Sequence, residues 1–292
     1  MALFAGLEQI VKENEPLADY TWFRIGGPAR YFAQPRTEDE LRDVVKRCRE
    51  NEIPVSVMGS GANLLIDDAG VKGMVVRLRQ GEFLESTLVA DGLRAAAGAE
   101  MGKLVLRCVR EGLGGLEGLT GIPGTVGGCV RMNAGGAFGD IGNSVESVKV
   151  MTDDGEVFTR YRDDLAFAYR STNISARFIL GAEFRLVEDD PQRILKQVKQ
   201  IWIYKKNTQP LGGRNAGCIF KNPRGLSAGA LIDKAGLKGR RVGGAHVSQK
   251  HANFILTDEG ATASDVLKLI NIIRDVVYDT AGVYLELEVE VW

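Results

Sequence analysis

Gly118-Leu119-Thr120-Gly121-Ile122-Pro123-Gly124-Thr125-Val126-Gly127-Gly128 places five glycines and a proline in eleven residues. Glycine tolerates positive φ and lets main chain lie close against a ligand, so a cluster this dense reads as a binding loop more readily than as a series of turns. It sits inside a longer glycine-rich run from Gly112 to Gly142. Two smaller clusters lie upstream, Ile25-Gly26-Gly27 and Gly59-Ser60-Gly61. For Gly26-Gly27 alone, a tight turn between strands is an equal reading. The chain carries 36 glycines in 292 residues, well above the usual share of about 7%.

Outward from this run, the flanking pattern is mixed. Thr37-Glu38-Asp39-Glu40 is a capping box, and Leu41, Val44, Val45 and Cys48 follow at helical spacing. Ile53 to Met58 reads as a buried strand that runs straight into Gly59-Ser60-Gly61-Ala62-Asn63, and Val75, Val76 and Leu78 as a second, short one. Leu104, Val105, Cys108 and Val109 share one face of a helix over 101–111, with Gly112 as its C-cap. Beyond the glycines the period becomes that of strands. Val148 to Thr152 and Val157 to Tyr161 flank Asp153-Asp154-Gly155 as a hairpin, and Phe178 to Val187 is a further strand. A helix starts at Asp189-Asp190-Pro191, with Ile194, Val198, Ile201 and Trp202 on one face.

The last hundred residues read as a separate α+β unit. A helix near Ser227 to Ala235 precedes a strand around Asn253 to Leu256. Thr262-Ala263-Ser264-Asp265 then caps a long helix that stops at Gly282. The chain closes in alternation, with Leu285, Leu287, Val289 and Val291 on one side and Glu286, Glu288 and Glu290 on the other.

Charge excludes some functions. Lys plus Arg number 37 and Asp plus Glu 38, a formal net charge of −1, which argues against a nucleic-acid or anionic-membrane protein. A local pocket for a phosphorylated small molecule remains open. The N-terminal stretch lacks the basic region of a signal peptide, and no run of about 20 residues is apolar enough to span a membrane, so no membrane partner and a cytoplasmic location are expected. Cys48, Cys108, Cys129 and Cys218 are far apart and His246 and His251 are the two histidines. No metal site is expected, and free thiols suit a reducing compartment.

Standard nucleotide fingerprints fall short. Gly59-Ser60-Gly61-Ala62-Asn63-Leu64 begins like a dinucleotide loop, but its third glycine is missing and no helix obviously follows. Gly98 to Lys103 has the wrong spacing for a phosphate loop, with Leu104 where Ser or Thr should stand. A strand ending in Gly-Ser-Gly-Ala-Asn still offers backbone N–H groups as an anion nest.

Taken in order, Thr21-Trp22-Phe23-Arg24-Ile25-Gly26-Gly27, the loop 59–63 and the run 118–128 closely resemble the UDP-N-acetylenolpyruvoylglucosamine reductases of bacterial cell-wall synthesis. The resemblance extends from about Thr21 to Val289. Because no tyrosine-bearing loop is inserted between Arg170 and Phe178, the chain resembles the second, shorter form of that family. The implied fold is α+β: a two-part FAD-binding domain of the vanillyl-alcohol-oxidase (PCMH) type over 1–190, with subdomains of approximately 1–78 and 79–190, and a C-terminal α+β substrate-binding domain over 191–292. The implied cofactors are FAD and NADPH. Gly59, Ser60, Gly61, Ala62 and Asn63, together with Gly121, Ile122, Pro123, Gly124, Thr125, Gly127 and Gly128, would wrap the FAD pyrophosphate and flavin, and Asn133 continues that wall.

The resemblance also implies three catalytic residues. Tyr169-Arg170-Ser171 matches the family's Tyr-Arg motif and makes Arg170 the guanidinium that polarises the substrate's carboxylate. A planar fork that never loses its charge suits that task. Leu285-Glu286-Leu287-Glu288-Val289 resembles the family's Leu-Glu-Pro-Glu-Val, making Glu288 the acidic residue. Leu287 stands there in place of proline and Glu290 in place of arginine. In Asn215-Ala216-Gly217-Cys218-Ile219-Phe220-Lys221-Asn222-Pro223 the family usually carries serine where this chain has Cys218, the expected proton donor to C2. Tyr169, Gln209, Lys221 and Asn222 are expected at the substrate, with Lys205, Lys206 and Arg214 as further phosphate donors. The expected partner is the small-molecule substrate UDP-N-acetylglucosamine enolpyruvate, with no nucleic acid, and the expected state a monomer. Two alternatives stand beside this reading: a flavin oxidase or dehydrogenase of the same fold acting on another substrate, and a flavin-binding protein that has lost catalysis.

Overall fold

In the computed structural model, which describes residues 2–292, helix α1 (Glu38–Glu50) begins where Thr37 Oγ1 accepts the Glu40 N–H at 3.2 Å. Its buried face, Leu41, Val44, Val45 and Cys48, is the one the spacing predicts. That face packs in a core with Phe4, Met74, Val76, Phe83 and Phe178. Strand Val55–Met58 pairs in parallel with 74–77, from Val55 opposite Met74 to Met58 opposite Arg77. Strand and glycine loop are therefore continuous: Met58 ends the ladder and Gly59 begins the turn.

The chain forms two compact units, each made of separate stretches of sequence. The first comprises 1–14, 31–60 and 72–204, and the second 15–30, 61–71 and 205–292. Helix α1 and its strands belong to the first.

A second core in the first unit lies on a five-stranded antiparallel sheet. Its strand order is Val157–Tyr161, Val145–Met151, Phe178–Arg185, Gly92–Ala96, Ser86–Val89. Helix α2 (Met101–Glu111) buries Leu104, Val105, Cys108 and Val109 and ends at Gly112, whose φ of 66° is left-handed. Glycine alone takes that conformation without a Cβ penalty. Helix α3 (Val126–Arg131) starts at Thr125, whose hydroxyl accepts from the Gly128 N–H. Helix α4 (Pro191–Thr208) contributes Ile194 and Val198 to the same core.

The second unit is built on helix α5 (Ala228–Lys234), helix α6 (Ala263–Ala281) and a three-stranded sheet ordered Arg241–Val242, Ala245–Val247, Ile255–Thr257. Val266, Leu269, Ile270, Ile273 and Val277 of α6 are all buried. Each such side chain contributes about 1.5–3 kcal/mol of hydrophobic stabilisation. The Thr262–Asp265 capping box forms as the sequence predicts, and Gly282 closes the helix at φ 66°. Asp68 adds a second cap, accepting the N–H groups of Ala263 and Ser264 at 2.8 and 3.0 Å. An anion there also complements the helix dipole. The end of the chain is tied to 61–71 as well, since Glu290–Val291 pairs in parallel with Leu64–Leu65. No helix of the described residues is long and apolar enough to cross a membrane.

Candidate active site

In the first unit, Tyr169 and Arg170 form the two-residue tip between the short strands Phe167–Ala168 and Ser171–Thr172. Arg170 has φ 55°, a left-handed conformation that a long side chain adopts only at some cost. Neighbouring groups hold it there. Asn133, buried and itself at φ 44°, donates through Nδ2 to the Ala168 carbonyl at 2.9 Å and accepts the Gly142 N–H at 3.0 Å. The Arg170 Nη2 donates to the Gly135 carbonyl at 2.9 Å, and the guanidinium carbon lies 4.9 Å from the Tyr169 ring centroid. Asn133 and Arg170, assigned separate roles by the resemblance, thus share one hydrogen-bonded loop system. Tyr169 is half exposed at 51%.

The glycine loops of this unit approach each other closely. A Cβ on Gly59 would stand 2.5 Å from Thr125 Oγ1, so a side chain at 59 would displace the Thr125 hydroxyl. Gly121 and Gly124 have φ of 69° and 151°. The N–H groups of Val126 and Gly127 donate to Ala99 and Ala97 carbonyls at 2.9 and 2.8 Å, and that of Gly128 to Thr125 Oγ1. Gly127 also lets α3 pack on the sheet, because its Cβ would meet that of Ala97 at 2.9 Å. Amides 126–128 are therefore committed within the protein, as are the Ile122 N–H, which donates to the Leu119 carbonyl at 3.0 Å, and the Gly124 carbonyl, which accepts from Met101 at 3.1 Å; Gly121 and Gly124 present main chain without a side chain beside them. Such a surface fits a cofactor held by backbone N–H groups, as FAD pyrophosphate would be.

In the second unit, the other catalytic candidates meet on adjoining segments. Asn215 makes the turn that leads into them: its Oδ1 accepts the Gly217 N–H at 3.0 Å, and Gly217 has φ 75°. The stretch 218–221 then lies between two others. Cys218 bridges to Phe254 and Phe220 to Leu287, while the Glu288 N–H donates to the Ile219 carbonyl at 2.8 Å and the Lys221 N–H to that of Glu286 at 2.9 Å. Asn63 Nδ2 donates to the Glu288 carbonyl at 2.9 Å. Among the glutamates that the sequence alternation left equivalent, Glu286 is exposed and 3.7 Å from Lys221 Nζ, Glu290 is exposed, and Glu288 is half-buried.

The cysteines differ in the same way. Burial pushes Cys48 and Cys129 up to about 12 and, as the main cause, Cys108 up to about 11. Cys218 is the half-buried one. Asn222 Oδ1 accepts the Ala228 N–H at 3.0 Å, anchoring the approach to α5. Gln209 follows α4, its N–H donating to the Lys205 carbonyl at 2.9 Å, and Lys205 is buried. Sequence reasoning missed Asn253. Its only signal there was a polar residue at the head of an apolar strand.

Residues 209–292 match the family described as UDP-N-acetylenolpyruvoylglucosamine reductase, C-terminal domain, and residues 29–160 match the one described as FAD binding domain. The chain is 41% identical over 290 residues to the UDP-N-acetylenolpyruvoylglucosamine reductase of Syntrophobacter fumaroxidans, covering 96% of this chain and 83% of that one. It is 40% identical to the enzyme of the same name from Moorella thermoacetica, covering 99% and 96%. The crystal structure of the Thermus caldophilus UDP-N-acetylenolpyruvylglucosamine reductase superposes with a TM-score of 0.82 at 40% identity, covering 95% of this chain and 97% of that one. A variant of Phl p 4, a glucose oxidase, superposes at 0.51 with 14% identity over 63% of this chain and 42% of its own, which speaks to the fold alone.

Proposed function

The chain belongs to the UDP-N-acetylenolpyruvoylglucosamine reductase family, and from that membership we infer that it reduces UDP-N-acetylglucosamine enolpyruvate to UDP-N-acetylmuramate for peptidoglycan synthesis, with FAD bound and NADPH as reductant. The observation that carries the assignment of roles is the Glu288 N–H to Ile219 carbonyl bond, which sets Glu288 beside the residue that follows Cys218.

When bound, FAD would supply the redox chemistry, hydride transfer between NADPH and C3 of the enolpyruvyl group. The chain's own residues do the rest. Gly59, Ser60, Gly61, Ala62 and Asn63 and the stretch Gly121–Thr125 would hold the cofactor, largely through main-chain groups. Arg170 pairs with the substrate carboxylate and steadies the negative charge that grows there and at C2. Glu288 is the acidic residue that joins in polarising the substrate carboxylate. Cys218 transfers its S–H proton to C2, and the thiolate then regains a proton from water. An ordinary thiol, with a pKa of about 8.5, is a much stronger acid than the serine alcohol usual at this position. Tyr169, Gln209, Lys221 and Asn222 hold the nucleotide sugar.

The free cysteines suit a reducing cytoplasm.

The test is an anaerobic absorption trace of the FAD-loaded protein. NADPH should bleach the flavin band. UDP-N-acetylglucosamine enolpyruvate, and not UDP-N-acetylglucosamine, should restore it. Bleaching without restoration would remove the substrate and favour another flavin dehydrogenase. A protein that takes up no FAD would sink the whole reading.

A further inference from the structure

Asn253 is 2% exposed and makes three hydrogen bonds to the stretch that carries Cys218. Its Oδ1 accepts the Phe220 N–H at 3.0 Å, its Nδ2 donates to the Phe220 carbonyl at 2.8 Å, and its own carbonyl accepts the Ile219 N–H at 2.9 Å. A side-chain amide thus closes on both hydrogen-bonding groups of a single residue, as a neighbouring strand would. A strand, however, could slip in register, whereas the amide is fixed by its own backbone. On the other side of the same stretch stand Glu286 and Glu288, through the Lys221 and Glu288 N–H bonds. Asn253 therefore fixes the stretch that carries Cys218 relative to Glu288.

We propose that Asn253 is the positioning residue of the proton-donating step, holding the stretch 218–221 so that Cys218 Sγ faces the carbon it protonates. The proposal rests on the acid role of Cys218. Removing the amide leaves the buried Phe220 N–H and carbonyl without partners, and the stretch gains freedom just where reach and angle decide the proton transfer. Hydride delivery from NADPH needs neither group and is untouched.

The experiment compares the FAD-loaded protein with Asn253→Leu, Asn253→Asp and Cys218→Ala in both half-reactions, followed by stopped-flow absorbance. Asn253→Leu should slow reoxidation of the flavin by UDP-N-acetylglucosamine enolpyruvate at least tenfold, while bleaching by NADPH stays within twofold. Combined with Cys218→Ala it should add little further loss, since two changes in one step are not additive. Confinement of the loss to reoxidation separates positioning from packing, while Asn253→Asp ties the loss to the donated hydrogen bond itself. Its ionised carboxylate cannot donate to the Phe220 carbonyl, but its protonated form can. Its rate relative to the unchanged protein should therefore recover as pH falls.

A second readout is independent of the acid role: the rate at which iodoacetamide alkylates Cys218, which both Asn253 variants should change at least threefold. If Cys218→Ala reoxidises at the unchanged rate, the acid role falls, and the alkylation rate still decides whether Asn253 positions the thiol. If Cys218→Ala is slow but the Asn253 variants match the unchanged protein, the positioning role is overturned. Equal losses in both half-reactions, whether or not Asn253→Asp recovers at low pH, would overturn it too and leave Asn253 as packing alone.

Discussion

Arg170 Nη2 donates to the Gly135 carbonyl at 2.9 Å, so the guanidinium is tied to the loop that Asn133 organises. One edge of the guanidinium is committed to the protein, and its orientation is set before a substrate arrives. Lysine keeps the charge but not the planar fork. Arg170→Lys should therefore lower kcat/KM about ten- to a hundredfold, the equivalent of roughly 1.5–3 kcal/mol for a charged hydrogen bond. Steady-state kinetics with the enolpyruvyl substrate measure it. A loss confined to the NADPH half-reaction would contradict the role given to Arg170.

Cys218 is half-buried, and the other three thiols are buried and held in their neutral form near pH 8. Since the thiolate is the nucleophile, alkylation of the folded protein should label Cys218 alone, whereas the unfolded protein takes up four labels. Intact-mass measurement counts them. Single labelling should abolish flavin reoxidation by the enolpyruvyl substrate. Full activity after labelling of Cys218 would remove it from the reaction.

Gly59 and Thr125 meet so closely that a Cβ at 59 collides with the Thr125 hydroxyl at 2.5 Å, while the threonine Cβ lies 3.6 Å away. Gly59→Ala should weaken FAD binding at least tenfold, about 1.4 kcal/mol. Thr125→Ala removes the obstacle, at a loss of about 1 kcal/mol for the α3 cap. The double variant should consequently bind FAD more tightly than Gly59→Ala alone. Fluorescence titration of the apoprotein with FAD is the check, and a double variant weaker than both singles would show that the Gly59–Thr125 approach is not what binding requires.

Much of this architecture was legible because its signals are local. Thr37, Thr262, Gly112 and Gly282 cap the helices they predict, since a hydroxyl at an N-terminus and a glycine past a C-terminus act within one turn. Long-range pairing was not legible. Nothing in 15–30 or 61–71 announces that these stretches belong to the same compact unit as the C-terminal residues; Asp68 on α6 and Leu64 beside Glu290 bind the second, and the Thr257 hydroxyl, donating to the Phe23 carbonyl at 2.7 Å, binds the first. The closing alternation read as one long strand. In the structure only Glu290–Val291 and a bridge at Leu287 are regular, because different partners take up successive segments: 219–221 first, then 64–65. The same division separates Glu288 from Glu286 and Glu290, which alternation alone could not do. Asn253 escaped for a related reason, since its importance lies in a peptide 33 residues away.

His251 supports the same stretch from beneath, its Nδ1 accepting the Asn253 N–H at 3.3 Å. Burial is the main cause that holds its pKa below the ordinary 6.5, and the Lys238 charge acts in the same direction. The imidazole is therefore neutral in the folded protein where the unfolded chain already begins to bind a proton. With the folded value depressed, stability is full above about pH 6.5 and is lost as pH falls through the folded value. Protonation at Nδ1 would also replace the acceptor facing Asn253 with a second donor. The melting temperature should accordingly drop between about pH 7 and pH 5.5, and His251→Gln, which cannot take up a proton there, should show a shallower fall. Flavin reoxidation should hold its rate over that window, because the folded imidazole is still neutral there, and should fall only at lower pH, where the folded His251 itself takes up a proton. Parallel melting curves for the two proteins across that range would mean that His251 does not govern the acid side of stability.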